Sequence, residues 1–234
     1  METTDILEQN LFHEAVVGNV IDELKKLKLA PKDYINIANA LLDLALNKTI
    51  EKTNNLEHLL SNNKFNFPIT YEDIVIRKLN FSKDKKLIET WTSSDFGKEF
   101  LLSRIENIES KVEDLLQDEK NIFGIVETPN KIPFGVLGFL NYDKVNKKAE
   151  LRKLIGNDEY RRKGFGKKAT KVWISYGLNT IGLRKIYIYT FDTNLRNIRI
   201  NKELGFNLEG MFKAENICGE EIKDIIRMAL IAKR

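Results

Sequence analysis

The sequence has few of the residues that build disulfides and metal sites. Its 234 residues include one cysteine, Cys218, and two histidines, His13 and His58, which both lie in the N-terminal third. A single cysteine excludes an internal disulfide and is typical of a reducing compartment. Because no Cys-x-x-Cys motif or histidine pair has the spacing that zinc requires, the sequence predicts no bound metal.

Long apolar runs and a strong excess of one charge are also missing. No apolar stretch approaches the roughly 20 residues that a membrane-spanning helix needs. The polar start Met1-Glu2-Thr3-Thr4-Asp5 does not resemble a signal peptide. The 38 Lys and Arg residues nearly balance 34 Asp and Glu residues, for a net charge of +4. We therefore expect a cytoplasmic protein that binds neither a membrane nor nucleic acid.

The first 67 residues have a helical pattern and end in a breaker. Pro31 suits the first turn of a helix. After it, apolar residues recur at three-and-four spacing, as in an amphipathic helix: Tyr34, Ile37, Ala38, Leu41, Leu42 and Ala45. The stretch Ser61-Asn62-Asn63-Lys64, closed by Pro68, reads as a linker. These features predict a helical N-terminal annex (residues 1–67) that serves as a dimerisation element of a homodimer, a lid or a stability cap.

Residues 69–234 alternate between strand and helix patterns, which predicts a separate mixed α/β domain. The predicted strands are 74–76, 122–126, 134–140, 149–155 and 186–189, with two more in the tail 206–232. The predicted helices are 82–92, 96–118, 164–177 and 194–204. The last of these ends at Gly205, a residue type favoured just after a helix.

The most informative segment joins a predicted strand to a helix and is here called the anion loop (Arg161-Arg162-Lys163-Gly164-Phe165-Gly166-Lys167). Unpaired amides and the dipole at a helix start attract negative charge. Glycines let the backbone approach a phosphate closely, and the four basic side chains add full charges. A pyrophosphate is the expected ligand.

Three alternatives for this loop differ in how well the sequence supports them. A Walker phosphate loop would need glycine where Arg161 stands and is rejected. The pattern Gly164-x-Gly166-x-x-Ala169 formally matches a dinucleotide fingerprint, although too few strand–helix units follow it. A plain glycine turn with solvated basic residues is the third alternative.

The loop and the segments after it resemble the GNAT N-acetyltransferase superfamily. Arg161-x-x-Gly164-x-Gly166 matches the signature Gln/Arg-x-x-Gly-x-Gly/Ala, and Asn194 stands where the family has a cofactor-contacting asparagine. The segment Leu204 to Gly210 and the strand Asp224 to Met228 resemble the family's ending. The latter is similar to the branch of ribosomal-protein N-terminal and amino-sugar acetyltransferases. The resemblance covers residues 70–234.

This resemblance implies a mostly antiparallel sheet flanked by helices, and acetyl-CoA as the cofactor. The main chain of Leu154, Ile155 and Gly156 would pair with the pantetheine arm, and Asn194 would bind further along the cofactor. The pyrophosphate would lie on the anion loop, whose members are Arg161, Arg162, Lys163, Gly164, Phe165, Gly166 and Lys167.

Acyl transfer to an amine requires a proton acceptor, because alkyl amines are protonated near neutral pH. Glu150 lies eleven residues before Arg161, the position of the catalytic glutamate in the histone-acetylating branch. Its alternative role is an ion pair with Lys147 or Arg152. The family's usual general acid is a tyrosine where this chain has Asn201. An amide cannot protonate a thiolate but can hydrogen-bond the sulfur, so Tyr189, water or unassisted thiolate release are the alternatives.

The leading hypothesis is direct transfer of acetyl from acetyl-CoA to a primary amine on a small molecule, an amino sugar or a protein N-terminus. A non-catalytic CoA-binding or interaction module and an NAD(P)-binding enzyme are the two other hypotheses. The acceptor stays open. The Glu-rich segment from Glu106 to Glu119 is the only feature that favours a cationic one.

Overall fold

The computed structural model describes residues 16–45, 64–94, 97, 112–218 and 221–232. The chain divides into two compact units, Met1–Asn47 and Lys48–Arg234. In the first unit, residues 16–26 form helix α1 and Pro31–Ala45 form α2, which begins at the proline as predicted. His13, His58 and residues 61–63 of the predicted linker lie outside the described residues. The division into an annex at 1–67 and a domain at 69–234 stays a prediction.

The described residues of the second unit form an eight-stranded sheet with the strand order β1-β2-β3-β4-β5-β6-β8-β7. Among the described strands, β5 and β6 are the one parallel pair, so the predicted mixed and mostly antiparallel sheet is confirmed. The strands are β1 (Ile69–Tyr71), β2 (Ile74–Lys78), β3 (Ile122–Glu127), β4 (Pro133–Asp143), β5 (Lys148–Ile155), β6 (Lys185–Phe191), β7 (Asn207–Cys218) and β8 (Glu221–Ile231).

Four helices are described in the same unit: α3 (Phe81–Thr92), α4 (Val112–Gln117), α5 (Phe165–Tyr176) and α6 (Leu195–Glu203). A short 3-10 turn, Asp158–Tyr160, precedes α5, and a π-type turn, Gly177–Ile181, follows it. The predicted helices 82–92, 164–177 and 194–204 are confirmed within a residue or two at each end. Of the predicted helix 96–118, residues 96 and 98–111 lie outside the described part of the chain.

Strand β1 was missed because it is three residues long and its turn has an unusual residue. It pairs with β2 across Glu72 and Asp73, and Glu72 has a positive φ of 50°. Non-glycine residues adopt this left-handed conformation at a cost. No glycine or asparagine therefore marks the hairpin in the sequence.

Helices cover both faces of the sheet. Helices α3 and α4 pack on one face, where they bury a core formed by Ile88, Trp91, Leu116, Phe123, Ile125, Val136, Leu140 and Leu154. Helix α5 packs on the other face, with the Trp173 ring stacked on Phe139 at 5.2 Å between centroids. Phe67, just before β1, contacts Trp173 and Tyr176 of α5.

A buried ion pair fixes α3 to β2. The Asp84 carboxylate is 2% exposed and accepts two hydrogen bonds from the Arg77 guanidinium, each 2.8 Å long. The Asn80 N–H donates a third at 2.7 Å. Burial alone would raise the pKa of Asp84, but these hydrogen bonds to its charged form outweigh burial and lower that pKa. The carboxylate is thus held ionised at the start of the helix.

We expect Asp84→Ala to lower the free energy of unfolding by about 3 kcal/mol, since it leaves the Arg77 charge without its main partner. Denaturant unfolding measures this change. The matched control is Glu113→Ala, which breaks the ion pair between α3 and α4 formed by Lys85 and Glu113. Both of those side chains are one-third exposed, so the expected loss is below about 1 kcal/mol. Equal losses in the two variants would contradict this account.

Candidate active site

The sheet opens between its two parallel strands. Strands β5 and β6 pair over only three positions, from Lys148 with Lys185 to Glu150 with Tyr187. Strand β5 nevertheless stays paired with β4 as far as Ile155, and β6 stays paired with β8 as far as Phe191. The facing edges beyond Glu150 and Tyr187 border a gap, here called the wedge. Backbone groups along such edges can pair with an extended ligand.

The anion loop lies at the wide end of the wedge, and Arg161 fixes it there. The Arg161 Nε donates to the Ile155 carbonyl oxygen at 2.8 Å, and its Nη2 donates to the Gly156 carbonyl oxygen at 3.3 Å. The same guanidinium forms an ion pair with Asp158. Arg161 therefore fixes the end of β5 to the turn. Its charge is partly neutralised by Asp158.

The backbone of the anion loop presents its amides outward. Gly164 is the N-cap of α5, has a φ of 87° and supplies no side-chain cap. The first backbone bond of the helix runs from the Lys168 N–H to the Gly164 carbonyl oxygen. Within the described residues, the amides of Phe165, Gly166 and Lys167 thus have no backbone acceptor. A Cβ added at Gly164 would meet nothing within 4 Å, so the turn is open.

The basic side chains of the loop differ in how available they are. Arg162 and Lys163 are exposed, and Arg162 has a left-handed φ of 62°. Lys167 forms an ion pair of 2.6 Å with Glu203 of α6, and this hydrogen bond lowers the pKa of Glu203. The charge at the open turn comes mainly from Arg162 and Lys163. A strained non-glycine residue beside an open amide cluster is typical of a functional site.

Trp91, at the end of α3, closes one side of the wedge's wide end. A Cβ added at Gly156 would lie 2.1 Å from the Trp91 ring, so the indole rests directly on the main chain that leaves β5. Sequence reasoning missed Trp91. Its helix was predicted, but nothing in the sequence connects that helix to a glycine 65 positions later. Gly156 is required here because no side chain fits beneath the indole.

Glu150 lies at the narrow end of the wedge and is 5% exposed. It pairs in register with Tyr187, on the face of the sheet that α3 and α4 cover. The Arg152 Nε donates to its carboxylate at 2.5 Å, which is one of the alternatives that the sequence left open. Its catalytic role stays a prediction.

Asn201 and Lys153 form a pair on the opposite face. Asn201 of α6 has no solvent exposure, and its Oδ1 accepts a hydrogen bond of 2.9 Å from the Lys153 Nζ. Asn194, another predicted cofactor residue, is the N-cap of α6 and accepts from the Asn197 N–H at 3.1 Å. Lys153 was missed because a lone lysine in a strand pattern is typical of a solvated edge.

Tyr189 does not lie beside Asn201. Its ring contacts Tyr187 at 5.8 Å between centroids, and the Arg227 guanidinium lies over both rings. Because Tyr187 shares the face of Glu150, this aromatic pair borders the wedge opposite Lys153. The position usual for the family's tyrosine is thus occupied by the Lys153–Asn201 pair.

The dinucleotide alternative for the anion loop is wrong. A dinucleotide-binding fold needs a parallel sheet with helical crossovers after the glycine-rich turn. Here β5 and β6 are the only parallel neighbours in the described sheet. The strands that follow them pair antiparallel, β8 with β6 and β7 with β8.

No helix in the described ranges is both long and apolar enough to cross a membrane. The cytoplasmic location and the homodimer stay predictions.

Comparisons with known proteins agree with this geometry. The acetyltransferase (GNAT) domain matches residues 68–207, more than half of the chain. The spermidine N(1)-acetyltransferase of Escherichia coli (strain K12) is 29% identical over 96 residues, which cover 41% of this chain and 51% of that protein. An uncharacterized N-acetyltransferase of Bacillus licheniformis is 22% identical over 69% of this chain and 94% of its own length. The chain thus spans about half the length of the spermidine acetyltransferase it matches.

The fold is also found among solved structures. The spermidine N-acetyltransferase from Vibrio cholerae in complex with CoA and spermine superposes with a TM-score of 0.61. It is 20% identical, and the match covers 68% of this chain and 95% of that one. The predicted branch of ribosomal-protein N-terminal and amino-sugar acetyltransferases is not supported, because the relatives whose names give a substrate, from Escherichia coli and Vibrio cholerae, are spermidine acetyltransferases. That branch was predicted from one short strand, Asp224 to Met228, whose buried residues Ile225, Ile226 and Met228 serve plain sheet packing equally well.

We expect Gly156→Ala to weaken CoA binding at least about tenfold, because the new methyl group displaces Trp91 and the end of β5 together. Calorimetric titration with CoA measures the affinity, and the melting temperature reports the packing cost. Gly210→Ala in β7 is the matched control, since a Cβ there meets nothing within 4 Å. Unchanged CoA affinity in Gly156→Ala would show that this turn does not border the site.

Proposed function

The chain belongs to the acetyltransferase (GNAT) domain family, and from this premise we propose that it transfers acetyl from acetyl-CoA directly to a primary amine. The observation that carries the proposal is the wedge, with the open anion loop at its wide end. The wedge suits an extended arm, and the open anion loop suits a pyrophosphate. CoA contains both in one molecule.

The residues present fit the cofactor in chemical terms. The main chain of Leu154, Ile155 and Gly156 would lie along the pantetheine arm. Arg161 already engages the carbonyl oxygens of Ile155 and Gly156, and the Gly156 N–H donates to the Phe134 carbonyl oxygen, so the Ile155 N–H is the donor that we assign to the arm. The amides of Phe165, Gly166 and Lys167 offer donors to the pyrophosphate, and Arg162 and Lys163 offer charge. When bound, the cofactor supplies an activated acetyl group as a thioester.

The narrow end of the wedge is where we place the chemistry. Glu150 is buried beside the first unpaired position of β5, on the face that α3 and α4 cover. We propose that Glu150 accepts the proton that the acceptor amine loses, either directly or through a water molecule. Arg152, bonded to the same carboxylate at 2.5 Å, fixes the orientation of Glu150. The second carboxylate oxygen is the one we assign to the amine.

We propose a polyamine such as spermidine or spermine as the acceptor. The named relatives of Escherichia coli and Vibrio cholerae support this class. An acceptor with several cationic amines also agrees with the acidic segment Glu106 to Glu119, of which residues 106–111 lie outside the described ranges. A non-catalytic CoA-binding module is the second candidate, favoured by Asn201 at the position of the usual tyrosine.

We expect Gly164→Ala to weaken CoA binding about tenfold, because an L-residue resists the φ of 87° and turns the loop amides away from the pyrophosphate. Gly182→Ala is the matched control. Gly182 has a φ of 79°, its Cβ would also meet open space, and it lies beyond the far end of α5. Both variants should lose similar stability, about 1 kcal/mol, whereas only the first should lose affinity. Equal CoA affinities would contradict the assigned loop.

The function itself is tested by thiol release from acetyl-CoA with a panel of amines. We expect turnover with spermidine and spermine, and little with an amino sugar or a peptide N-terminus. Glu150→Gln keeps the shape of the side chain but removes the proton acceptor, so kcat should fall about 10²- to 10⁴-fold with CoA affinity retained. CoA binding without turnover on any amine would favour the non-catalytic module. Absence of CoA binding would overturn both.

A further inference from the structure

We propose that Lys153, held by Asn201, donates the proton that the cofactor's sulfur takes up when the acetyl group leaves. This inference rests on the proposed function. As the acceptor nitrogen forms its bond to the acetyl carbon, the carbon–sulfur bond breaks and its electron pair stays on sulfur. Lys153 transfers a proton from Nζ to that sulfur and becomes a neutral amine, which regains a proton from water. The proton lost by the acceptor goes to Glu150 or water.

Lys153 lies on the unpaired part of β5, on the same face of the sheet as the anion loop. Lys153 lies in the part of β5 that has left β6, beyond the last paired position at Glu150. Alternation along the strand puts its side chain on the opposite face from Glu150. That face also carries the anion loop, because Ile155, two residues further, lies 3.4 Å from a Cβ built at Gly166. Lys153 is thus on the cofactor's side of the wedge and Glu150 on the acceptor's side.

The Asn201 side chain holds Lys153 in place and keeps a second donor for the ligand. Its Oδ1 accepts from the Lys153 Nζ at 2.9 Å, which directs the ammonium from β5 across to α6. Its Nδ2 is buried and has no partner among the described residues. An unpaired buried amide hydrogen is costly. A sulfur or carbonyl oxygen in the wedge would give this donor an acceptor, while Asn201 keeps Lys153 in position.

The surroundings of Lys153 suit a proton donor. Burial lowers the pKa of the Lys153 ammonium to about 7. A free thiol has a pKa of about 8.5, so proton transfer from such an ammonium to a thiolate is favourable. The charged groups on the neighbouring elements are already engaged: Lys202 donates to the Asn207 Oδ1, and Lys167 pairs with Glu203. Across the described ranges, no carboxylate lies within ion-pair distance of Lys153 to hold its proton.

Binding of CoA and of dethio-CoA, which lacks the sulfur, tests the contact without turnover. We expect the wild-type protein to prefer CoA about tenfold, as for a hydrogen bond to a charged group. Lys153→Met should bind the two compounds equally and leave the affinity for dethio-CoA unchanged, which also shows that it is folded. Lys171→Met, on the outer part of α5, is the control and should behave as the wild type.

Proton donation is separated from charge by Lys153→Arg, because a guanidinium keeps the charge and does not release its proton. This variant should retain the preference for CoA but lose about 10²-fold or more in kcat with the acceptor that the amine panel identifies. The inference is overturned if Lys153→Met keeps the wild-type preference for CoA, or if Lys153→Arg turns over as the wild type. Failure of wild type to bind either compound would instead overturn the proposed function.

Discussion

The site depends on two parallel strands that start together and then part. Strand β5 is held by β4 along its length, and β6 is held by β8 along its length. Because each strand is fixed on its outer side, the gap between them cannot close by a small shift of either one. Backbone donors and acceptors along the wedge are left for a ligand, whereas the other neighbouring strands of the described sheet pair over more of their length. The rest of the site is arranged around this gap.

Helices place different chemistry on the two faces of the gap. Helices α3 and α4 bury the face that carries Glu150, while α5 and α6 bring the open amides and Asn201 to the other. A proton acceptor for the incoming amine and a proton donor for the departing sulfur are thereby separated by the sheet. This separation keeps the Lys153 ammonium from forming an ion pair with Glu150, whose partner on its own face is Arg152.

Three features of the site reduce the stability of the fold. Arg162 has a left-handed backbone, the Asn201 amide is buried with an unpaired hydrogen, and Lys153 carries a lowered pKa. Each reduces stability, and all three lie around the wedge. Such costs are expected to concentrate where function requires them.

Sequence reasoning found what local signals specify. The glycines and basic residues marked the anion loop, the periodicity after Gly164 marked α5, and Gly205 marked the end of α6. It missed contacts that form only in three dimensions. Trp91 of α3 rests on Gly156 just beyond β5, and Lys153 meets Asn201 from another element, with nothing in the local pattern to connect them. Strand β1 was missed because its turn uses Glu72 in place of glycine.

The most direct test of the central claim is a crystal structure of the protein with CoA. The pyrophosphate should accept hydrogen bonds from the amides of Phe165 to Lys167. The pantetheine arm should pair with the free edge of β5, with the sulfur near the Lys153 Nζ. A cofactor bound outside the wedge, or loop amides paired to the protein's own groups in that complex, would contradict the account.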